Sequence, residues 1–469
     1  MDDGLTRRTL LAGLCSAIAC EGSGALEDPP GTLPGAPPGG CCAPGTPPTE
    51  PWALSGLLDE VAFPSGLRGG DPGPDGLVLS GRTLEPGVVL SGAAARGGRW
   101  VALPGRGPLV PVGGFVRIEV DGLEPDTEHA FALVSMDGLR RSALGTYRTA
   151  PAPDTERVVC LGATSCLGNA EPTLPLLWAA AADDLDAFLI LGDAIYTQAT
   201  TLSGYRGAYT TLLARDSFRA LATATPLVVM WDDHEVADNW IVGPGPPGQI
   251  PIPSAQLRAA RIAFCEALPQ RIGADGVGLW RSLRFGRTLE LILLDARAER
   301  TETSIVSTAQ LGWAIETLRA STCRFKLVVT GVHLTDHALR LSFPNNTDDT
   351  WDRWQGYPEQ RSALLAACEE VPGVAIISGD MHYGGIQRVG APGEVGAGLW
   401  GVAAGPAGSR PWDLAGWLAE QGHPADAYDV LIDTYSYARF RADPGAGELT
   451  VELVDAAGRV LAARTLLRV

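Results

Sequence analysis

The feature that most constrains the fold of this chain is a series of short, continuous apolar runs after Pro153. Such runs are typical of parallel strands whose two faces are both buried. Segments with a helical pattern separate the runs, which indicates an α/β body over residues 152–469. The predicted strands are Arg157–Leu161, Ala187–Leu191, Leu227–Met230, Leu289–Leu294, Phe325–Thr330 and Val374–Ile377.

Polar residues with catalytic chemistry follow each of these strands. In an open α/β sheet, ligands bind beyond the carboxyl ends of the strands. If the six strands form one sheet, we expect the polar segments to converge on one rim. A single segment of this kind is more often a turn or a helix cap, but four of the six histidines lie in or just after three of them. The segments are Ser165-Cys166, Gly192–Tyr196, Trp231–Glu235, Asp295–Arg297, Gly331–His333 and Ser378–His382.

Charge limits the partners of the chain. Its 469 residues include 36 Lys and Arg against 54 Asp and Glu, for a formal net charge of −18. Because an acidic surface repels polyanions, we exclude a nucleic-acid-binding scaffold. Small phosphate esters remain accessible substrates, since a bound metal reverses the local field.

The first twenty residues have the order of regions found in a twin-arginine (Tat) export signal. Arg7 and Arg8 precede the apolar run Leu10–Ala19, which is too short to span a membrane. Ala17–Cys20 resembles a lipoprotein cleavage box without its usual Leu, so Cys20 is a candidate lipid anchor. We expect the Tat machinery to export the protein to the periplasm or cell surface; the alternative is a basic start on a cytosolic protein.

Two segments separate this signal, residues 1–20, from the α/β body. Residues 21–50 are rich in Pro and Gly, which predicts a semi-rigid tether. Short alternating runs from Leu77 to Thr149 predict a small all-β sandwich, assigned to residues 51–151. Its last strands resemble those of a fibronectin type III domain. We expect it to serve as a mechanical element or a wall beside the body, with a binding role as the alternative.

The side-chain types at the strand ends limit the chemistry of the body. Carboxylate, imidazole, phenolate and thiolate together exclude a pure oxygen cage for Mg²⁺ and a closed four-cysteine zinc site. Phenolate with thiolate favours Fe³⁺, and the remaining carboxylates suit a second, hard divalent ion. Two ions about 3.5–4 Å apart clamp the oxygens of a phosphoryl displacement and generate hydroxide at neutral pH. Asp193 is the natural bridging carboxylate.

Several motifs, in order, resemble those of the PhoD-type alkaline phosphatases of the metallophosphoesterase superfamily. They are Gly-Asp-x-x-Tyr at 192–196, Trp-Asp-Asp-His-Glu at 231–235 with Asp238-Asn239 after it, and Gly-Asp-x-His at 379–382. Ser165-Cys166, Leu294–Arg297 and the loop Trp351–Pro358 match further segments of that family. The resemblance covers Arg157 to Phe440. It implies a metallophosphoesterase-like α/β sandwich, with sheets flanked by helices, behind the small all-β domain.

The resemblance also implies a ligand set for two metal ions. The first ion would be iron, and the second would be calcium. The implied iron ligands are Cys166, Asp193, Tyr196 and His382, and the implied calcium ligands are Asp193, Asp233, Asn239 and Asp380.

Two further residues receive roles from this resemblance. His234, beside Asp233, would be the general acid or the hydrogen-bond donor to the transition state. Arg297 is a candidate fork for the substrate phosphate, with a helix-capping ion pair as the alternative.

The strand end at Thr330-Gly331 departs from the family, which has an Asn-Gln pair there. His333 is a candidate replacement ligand for the second metal, because residues two apart share a strand face. Purple acid phosphatases use a His from the matching strand end, and the second ion would then be zinc or manganese.

The function predicted from these residues is an exported, monomeric, metal-dependent phosphoesterase that hydrolyses small phosphate esters. One alternative is a phosphodiesterase that acts on phospholipid or nucleotide-type substrates. The other is a surface binding protein with a degenerate catalytic body, which the unusual Thr330-Gly331 strand end favours.

Overall fold

The computed structural model describes residues 54–97, 99–168, 170–245, 249–273, 278–335, 351–420, 422 and 428–469. The predicted signal with Cys20 and the predicted tether at 21–50 lie outside the described residues. Within the described ranges, no helix is both long and apolar enough to cross a membrane.

The described residues up to Ala150 form an all-β region, as the sequence predicts. Leu79, Leu90 and Phe131 lie in its apolar core. The strands are β1 (Leu57–Leu58), β2 (Leu67–Gly70), β3 (Gly76–Arg82), β4 (Val88–Arg96), β5 (Arg99–Ala102), β6 (Arg106–Leu109), β7 (Phe115–Asp121), β8 (Glu128–Ser135), β9 (Arg140–Arg141) and β10 (Gly145–Arg148).

These strands divide between two sheets. One has the order β1-β9-β8-β4-β5, with β10 on β8 and β6 on β4. The strands β2, β3 and β7 instead extend a sheet of the α/β body, because Gly70 pairs with Leu227. A Cβ atom at position 70 would lie 2.1 Å from the carbonyl oxygen of Pro269, so the close approach requires glycine. Residues on both sides of the predicted boundary at 151 therefore share one sheet.

All six predicted apolar runs form strands of the body, and their side chains are buried on both faces of the sheet, as the apolar pattern requires. These six are among the fifteen strands described in this part of the chain. The strands are β11 (Val159–Thr164), β12 (Ala187–Leu191), β13 (Leu227–Met230), β14 (Trp240–Val242), β15 (Ile250–Ile252), β16 (Arg281–Phe285), β17 (Leu289–Leu294), β18 (Phe325–Thr330), β19 (Val374–Ser378), β20 (Gly384–Arg388), β21 (Trp400–Ala403), β22 (Tyr428–Ile432), β23 (Tyr437–Asp443), β24 (Glu448–Val454) and β25 (Val460–Arg468). The helices are α1 (Pro175–Ala182), α2 (Leu202–Leu213), α3 (Asp216–Ala224), α4 (Ser254–Ala267), α5 (Thr308–Ala320), α6 (Pro358–Glu370) and α7 (Leu414–Glu420), with a 3₁₀ helix at Trp354–Gly356.

The six runs lie in two sheets, so the single sheet considered for them as a condition is not formed. The order of the larger sheet is β25-β24-β23-β11-β12-β13-β2-β3-β7, and that of the other is β16-β17-β18-β19-β21-β20-β22. Leu161 and Leu189 of the first pack with Leu291 and Val329 of the second in one core. Helices α1 to α4 cover the outer face of the larger sheet, and α5 and α6 that of the smaller. The architecture is the predicted α/β sandwich.

The carboxyl ends of the parallel strands in both sheets meet at one edge of this sandwich. Gly379, after β19, marks the close approach, since a Cβ atom there would lie 2.9 Å from the Leu191 carbonyl oxygen at the end of β12. The Ser165 hydroxyl, after β11, donates to the Ala404 carbonyl at 3.0 Å, after β21. The polar segments that the sequence singles out therefore converge, although they come from two sheets.

Candidate metal centre

Four of the predicted metal ligands have a backbone conformation that L residues rarely adopt. The φ angles are +54° at Cys166, +57° at Asp193, +46° at Asn239 and +68° at Asp380. Only seven non-glycine residues in the described ranges have a positive φ. Such conformations cost of order 1–3 kcal/mol each and persist where the surrounding structure imposes them, often at functional sites. The strain is thus concentrated at the predicted ligands.

Asp193, which follows β12, lies at the centre of the site. Ligand atoms of Asp193, Asp233 and His234 all lie within 4.8 Å of one another. Oδ2 of Asp193 accepts a hydrogen bond from the Tyr196 hydroxyl at 3.0 Å and lies 3.4 Å from Sγ of Cys166. Its Oδ1 accepts from the backbone N–H of His234 at 3.3 Å. Asp193 therefore contacts two predicted iron ligands, and its carboxylate lies within 4.8 Å of a ligand oxygen of Asp233, a predicted calcium ligand.

The rings of Tyr196 and His234 stack, with centroids 4.0 Å apart and an angle of 29° between their planes. The hydroxyl of Ser409 donates to that of Tyr196 at 2.9 Å, which gives the tyrosine hydroxyl a second hydrogen-bond partner besides Asp193. The His234 side chain keeps 18% of its surface exposed, and its Nε2 lies 3.7 Å from Oδ1 of Asp238. This geometry holds an imidazole of fixed orientation where a substrate can reach it.

The site gathers acidic groups that are difficult to ionise without an added cation. Burial, followed by the nearby Asp193 carboxylate, raises the pKa of the Cys166 thiol and of the Tyr196 hydroxyl well above their ordinary values. Burial and the charge of Asp233 raise the pKa of Asp193 in the same way, and burial and Asp232 raise that of Asp380. A multivalent cation reverses this preference and deprotonates its ligands. The donor set therefore fits a metal centre.

Asp233 stands apart from these groups because it favours ionisation. Burial opposes its charge, but electrostatic interactions with His234 and Arg297 overcome that effect and lower the pKa of Asp233. The backbone N–H of Asn239 donates to its Oδ2 at 2.7 Å. With its amide nitrogen turned toward the neighbouring carboxylates, Asn239 also donates to Asp352 at 3.0 Å and to Asp233 at 3.3 Å. This side of the site is rich in hard oxygen atoms.

Arg297 is fully buried and paired with carboxylates. Its Nε lies 2.5 Å from Oδ1 of Asp232, and Nη1 and Nη2 pair with Asp352. Its Nη2 is 4.0 Å from Oδ1 of Asp233. Because the guanidinium already binds two carboxylates, this geometry favours an ion-pairing role over a fork for phosphate.

Glu235 holds two of the polar segments together, a role that the sequence analysis missed. Its carboxylate accepts hydrogen bonds from the backbone N–H groups of Asp193 at 3.1 Å, Ala194 at 2.6 Å and Asp232 at 2.9 Å. The side chain is fully buried, and burial raises its pKa to about 8. An acidic residue in the loop after a buried strand, inside a motif of other acids, is the signal that could have revealed it.

The two remaining histidines of the predicted set differ in their surroundings. His382 donates to the backbone carbonyl of Arg410, and burial lowers its pKa to about 4, with His234 acting in the same direction. A backbone acceptor behind the ring is common for metal-bound histidine. The ring nitrogens of His333 instead lie 3.0 Å from the Ser378 hydroxyl and 3.4 Å from the Tyr383 hydroxyl. The structure does not bring His333 into the cluster around Asp193.

Comparisons with known proteins identify the family and the fold of this chain. Alkaline phosphatase D of Bacillus subtilis (strain 168) is 24% identical over 314 residues, which are 57% of this chain and 53% of that protein. The chain thus matches about half the length of that relative. A solved structure of PhoD superposes with a TM-score of 0.71 at 20% identity, over 87% of this chain and 89% of the other.

A purple acid phosphatase from yellow lupin (Lupinus luteus) seeds superposes with a TM-score of 0.62 at 14% identity, over 86% of this chain and 74% of the other. At such identities the two structures establish a shared fold. The model of the PhoD-like phosphatase family matches residues 161–413, more than half of the chain and the whole set of predicted ligands. This chain therefore belongs to the PhoD-like phosphatase family.

Proposed function

We propose that this chain is a metal-dependent phosphoesterase that hydrolyses small phosphate esters. One observation carries the proposal: the two oxygens of Asp193 face different partners, Cys166 and Tyr196 on one side and the backbone of His234 on the other. The carboxylate lies among buried acids that require a cation. Family membership supports the same chemistry.

We infer that iron binds beside Cys166, Tyr196 and His382, because thiolate, phenolate and imidazole suit that ion. Calcium would bind beside Asp233, Asn239 and Asp380, whose ligand atoms are oxygens. Asp193 would serve both ions. When bound, the two ions supply Lewis-acid stabilisation of the phosphoryl oxygens and make attack by water possible at neutral pH.

His234 is the residue to which we assign proton transfer. Its ring is stacked on Tyr196 and stays partly exposed, so its orientation is fixed while the leaving oxygen of a substrate can reach it. A positioned imidazole contributes typically 10²–10⁴-fold to such a step. The Glu235 carboxylate accepts hydrogen bonds from the backbone N–H groups of Asp193 and Asp232. Arg297 forms an ion pair with Asp232, the residue before Asp233.

The experiment compares hydrolysis of p-nitrophenyl phosphate and bis-p-nitrophenyl phosphate by the wild type, Asp193→Asn and Asp183→Asn. Asp183 is a matched control, because it pairs with Arg439 in a buried ion pair that the catalytic proposal does not involve. We expect Asp193→Asn to lose about 10³-fold or more in kcat, as for the loss of a central electrostatic group. The control should keep its activity.

The other outcomes either refute the proposed site or favour one of the two alternative functions. Full activity in Asp193→Asn refutes the proposed site. Faster hydrolysis of the diester than of the monoester favours the phosphodiesterase. A wild-type chain that binds the esters but hydrolyses neither is the expected behaviour of the binding protein.

We also propose that the chain is exported through the Tat machinery, is anchored through Cys20, and acts as a monomer. The arginine pair before the apolar run Leu10–Ala19 supports export. Cell fractionation of the wild type and of an Arg7→Lys/Arg8→Lys variant tests it. We expect the variant to stay in the cytoplasm, and equal export of both proteins would contradict the proposal.

A further inference from the structure

Asp352 lies in the loop segment Trp351–Pro358 and has no part in the reaction as proposed. Its side chain is 15% exposed. Both of its carboxylate oxygens pair with the guanidinium of Arg297, and Oδ1 also accepts from Nη1 of Arg300 at 2.9 Å. The Asp352 backbone carbonyl accepts from Nη2 of Arg300 at 3.0 Å. Two buried arginines therefore fix this one carboxylate.

The same carboxylate reaches a proposed metal ligand. The amide nitrogen of Asn239, oriented as its neighbours require, donates to Oδ2 and Oδ1 of Asp352 at 3.0 and 3.2 Å. Because the nitrogen end of the amide is held by Asp352 and Asp233, the amide oxygen lies at the opposite end of the group from these contacts. A backbone φ of +46° at Asn239 shows that this residue is held in a strained conformation.

Asp352 also acts on the carboxylates of the next segment. Arg297 lies between Asp352 and Asp232, and its Nη2 is 4.0 Å from Oδ1 of Asp233. Without Asp352, two of the charge contacts of this guanidinium would be lost. Arg297 could then move toward Asp233 and compete with a cation for it.

We propose that Asp352 is a positioning residue for the second, oxygen-liganded metal site. It orients the amide of Asn239 and holds Arg297 away from Asp233. The inference rests on the proposed function, because it takes Asn239 and Asp233 as ligands of that ion. Partners behind the ligands of a metal commonly change metal affinity 10–100-fold when they are removed.

The test titrates Ca²⁺ into the chelator-treated full-length protein by calorimetry and follows the visible absorption of the iron-loaded protein in parallel. The proteins are the wild type, Asp352→Asn, Asn239→Ala, the double variant, and the control Asp183→Asn. Asp183 pairs with buried Arg439 much as Asp352 pairs with Arg297, but it contacts none of the proposed ligands.

We expect Asp352→Asn to weaken Ca²⁺ binding about tenfold or more, with an unchanged visible band, and the control to bind like the wild type. Since Asp352 acts in part through Asn239, the effects of the two substitutions should be less than additive in the double variant. If Asp352→Asn fails to fold, Asn239→Ala tests the same link from its other end, and wild-type Ca²⁺ binding by that variant overturns the inference.

Three further results overturn the inference. They are less than a twofold effect of Asp352→Asn, fully additive effects in the double variant, and a wild type that does not bind Ca²⁺. If the wild type also hydrolyses no ester, the proposed function fails with it. If ester hydrolysis is normal and depends on Asp193, only the inference about Asp352 fails.

Discussion

The acid cluster around Asp193 and the ion pair between Asp71 and Arg281 both bury carboxylates, but they balance the charge differently. Both oxygens of Asp71 pair with the guanidinium of Arg281, at 2.7 and 2.8 Å. Burial and adjacent carboxylates raise the pKa of Asp193, and Arg297 nearby is already paired with Asp232. Where a buried charge serves the fold, the chain provides its own cation. We infer that the Asp193 cluster takes its cations from solution.

The largest effect is expected from removing the balancing charge at Asp71. Arg281→Met leaves a buried carboxylate without its partner where the all-β region joins the body, and should cost about 3–5 kcal/mol of stability. Denaturant unfolding measures this loss, and kcat per folded molecule should stay unchanged. If kcat per folded molecule also falls, the pair has a catalytic role, and the two regions do not differ in the way described above.

The stability of the metal-free protein should depend on pH, because the acids of the Asp193 cluster have no bound cation to balance them. Burial raises the pKa of Glu235 to about 8, so the folded chain holds a proton that the unfolded chain releases near pH 4.3. Stability should therefore fall as pH rises between about 4.3 and 8, by up to about 1.4 kcal/mol per pH unit for this group.

Thermal unfolding of the chelator-treated protein at pH 5 and pH 8 measures this dependence. Glu235→Gln keeps an acceptor oxygen but cannot ionise, so its stability should depend less on pH than that of the wild type. Identical pH profiles for the two proteins would contradict the assignment to Glu235.

Two tyrosines extend the comparison to single hydroxyl groups, one in the Asp193 cluster and one beside a carboxylate that an arginine balances. Tyr196 bonds to Asp193 in the cluster, whereas Tyr437 bonds to Asp183, which Arg439 balances. Tyr196→Phe should abolish the visible absorption expected of tyrosinate on ferric iron and lower activity about tenfold. Absorption spectra of Tyr196→Phe and of the control Tyr437→Phe check this, and an unchanged band in Tyr196→Phe would exclude that residue as a ligand.

The smallest effect is a gain in stability. Asp193→Asn removes a buried carboxylate from among its like-charged neighbours, so the metal-free variant should be about 0.5–2 kcal/mol more stable than the metal-free wild type. Denaturant unfolding in a chelator measures the difference. A less stable variant would mean that Asp193 serves the fold as Asp71 does.

The sequence predicted the strands of the body well, because continuous apolar runs such as Ala187–Leu191 and Phe325–Thr330 need burial on both faces. The runs by themselves did not show that they divide between two sheets, and only the family resemblance implied a sandwich of sheets. An apolar run shows that a strand is buried but not which partner covers it. The predicted rim is formed all the same, since parallel strands of both sheets end at the same edge.

The candidate site was predictable where its residues adjoin strand ends, as Cys166, Asp193 and Asp233 do. Contacts between distant segments were not. Asp352 reaches Asn239 and Arg297 only in the folded chain. His333 shows the opposite case, because its position near a strand end suggested a ligand while its ring lies against Ser378 and Tyr383. Spacing along the sequence does not show the direction of the Asp352 side chain or of the His333 side chain.

The most direct test of the central claim, that the Asp193 cluster is built for cations, is elemental analysis of the purified protein. Iron, calcium, zinc and manganese are counted per chain in the wild type and in Asp193→Asn. The account predicts close to one iron and one calcium per wild-type chain, and loss of both from the variant. A wild-type chain without metal, or a variant with its full metal content, would contradict it.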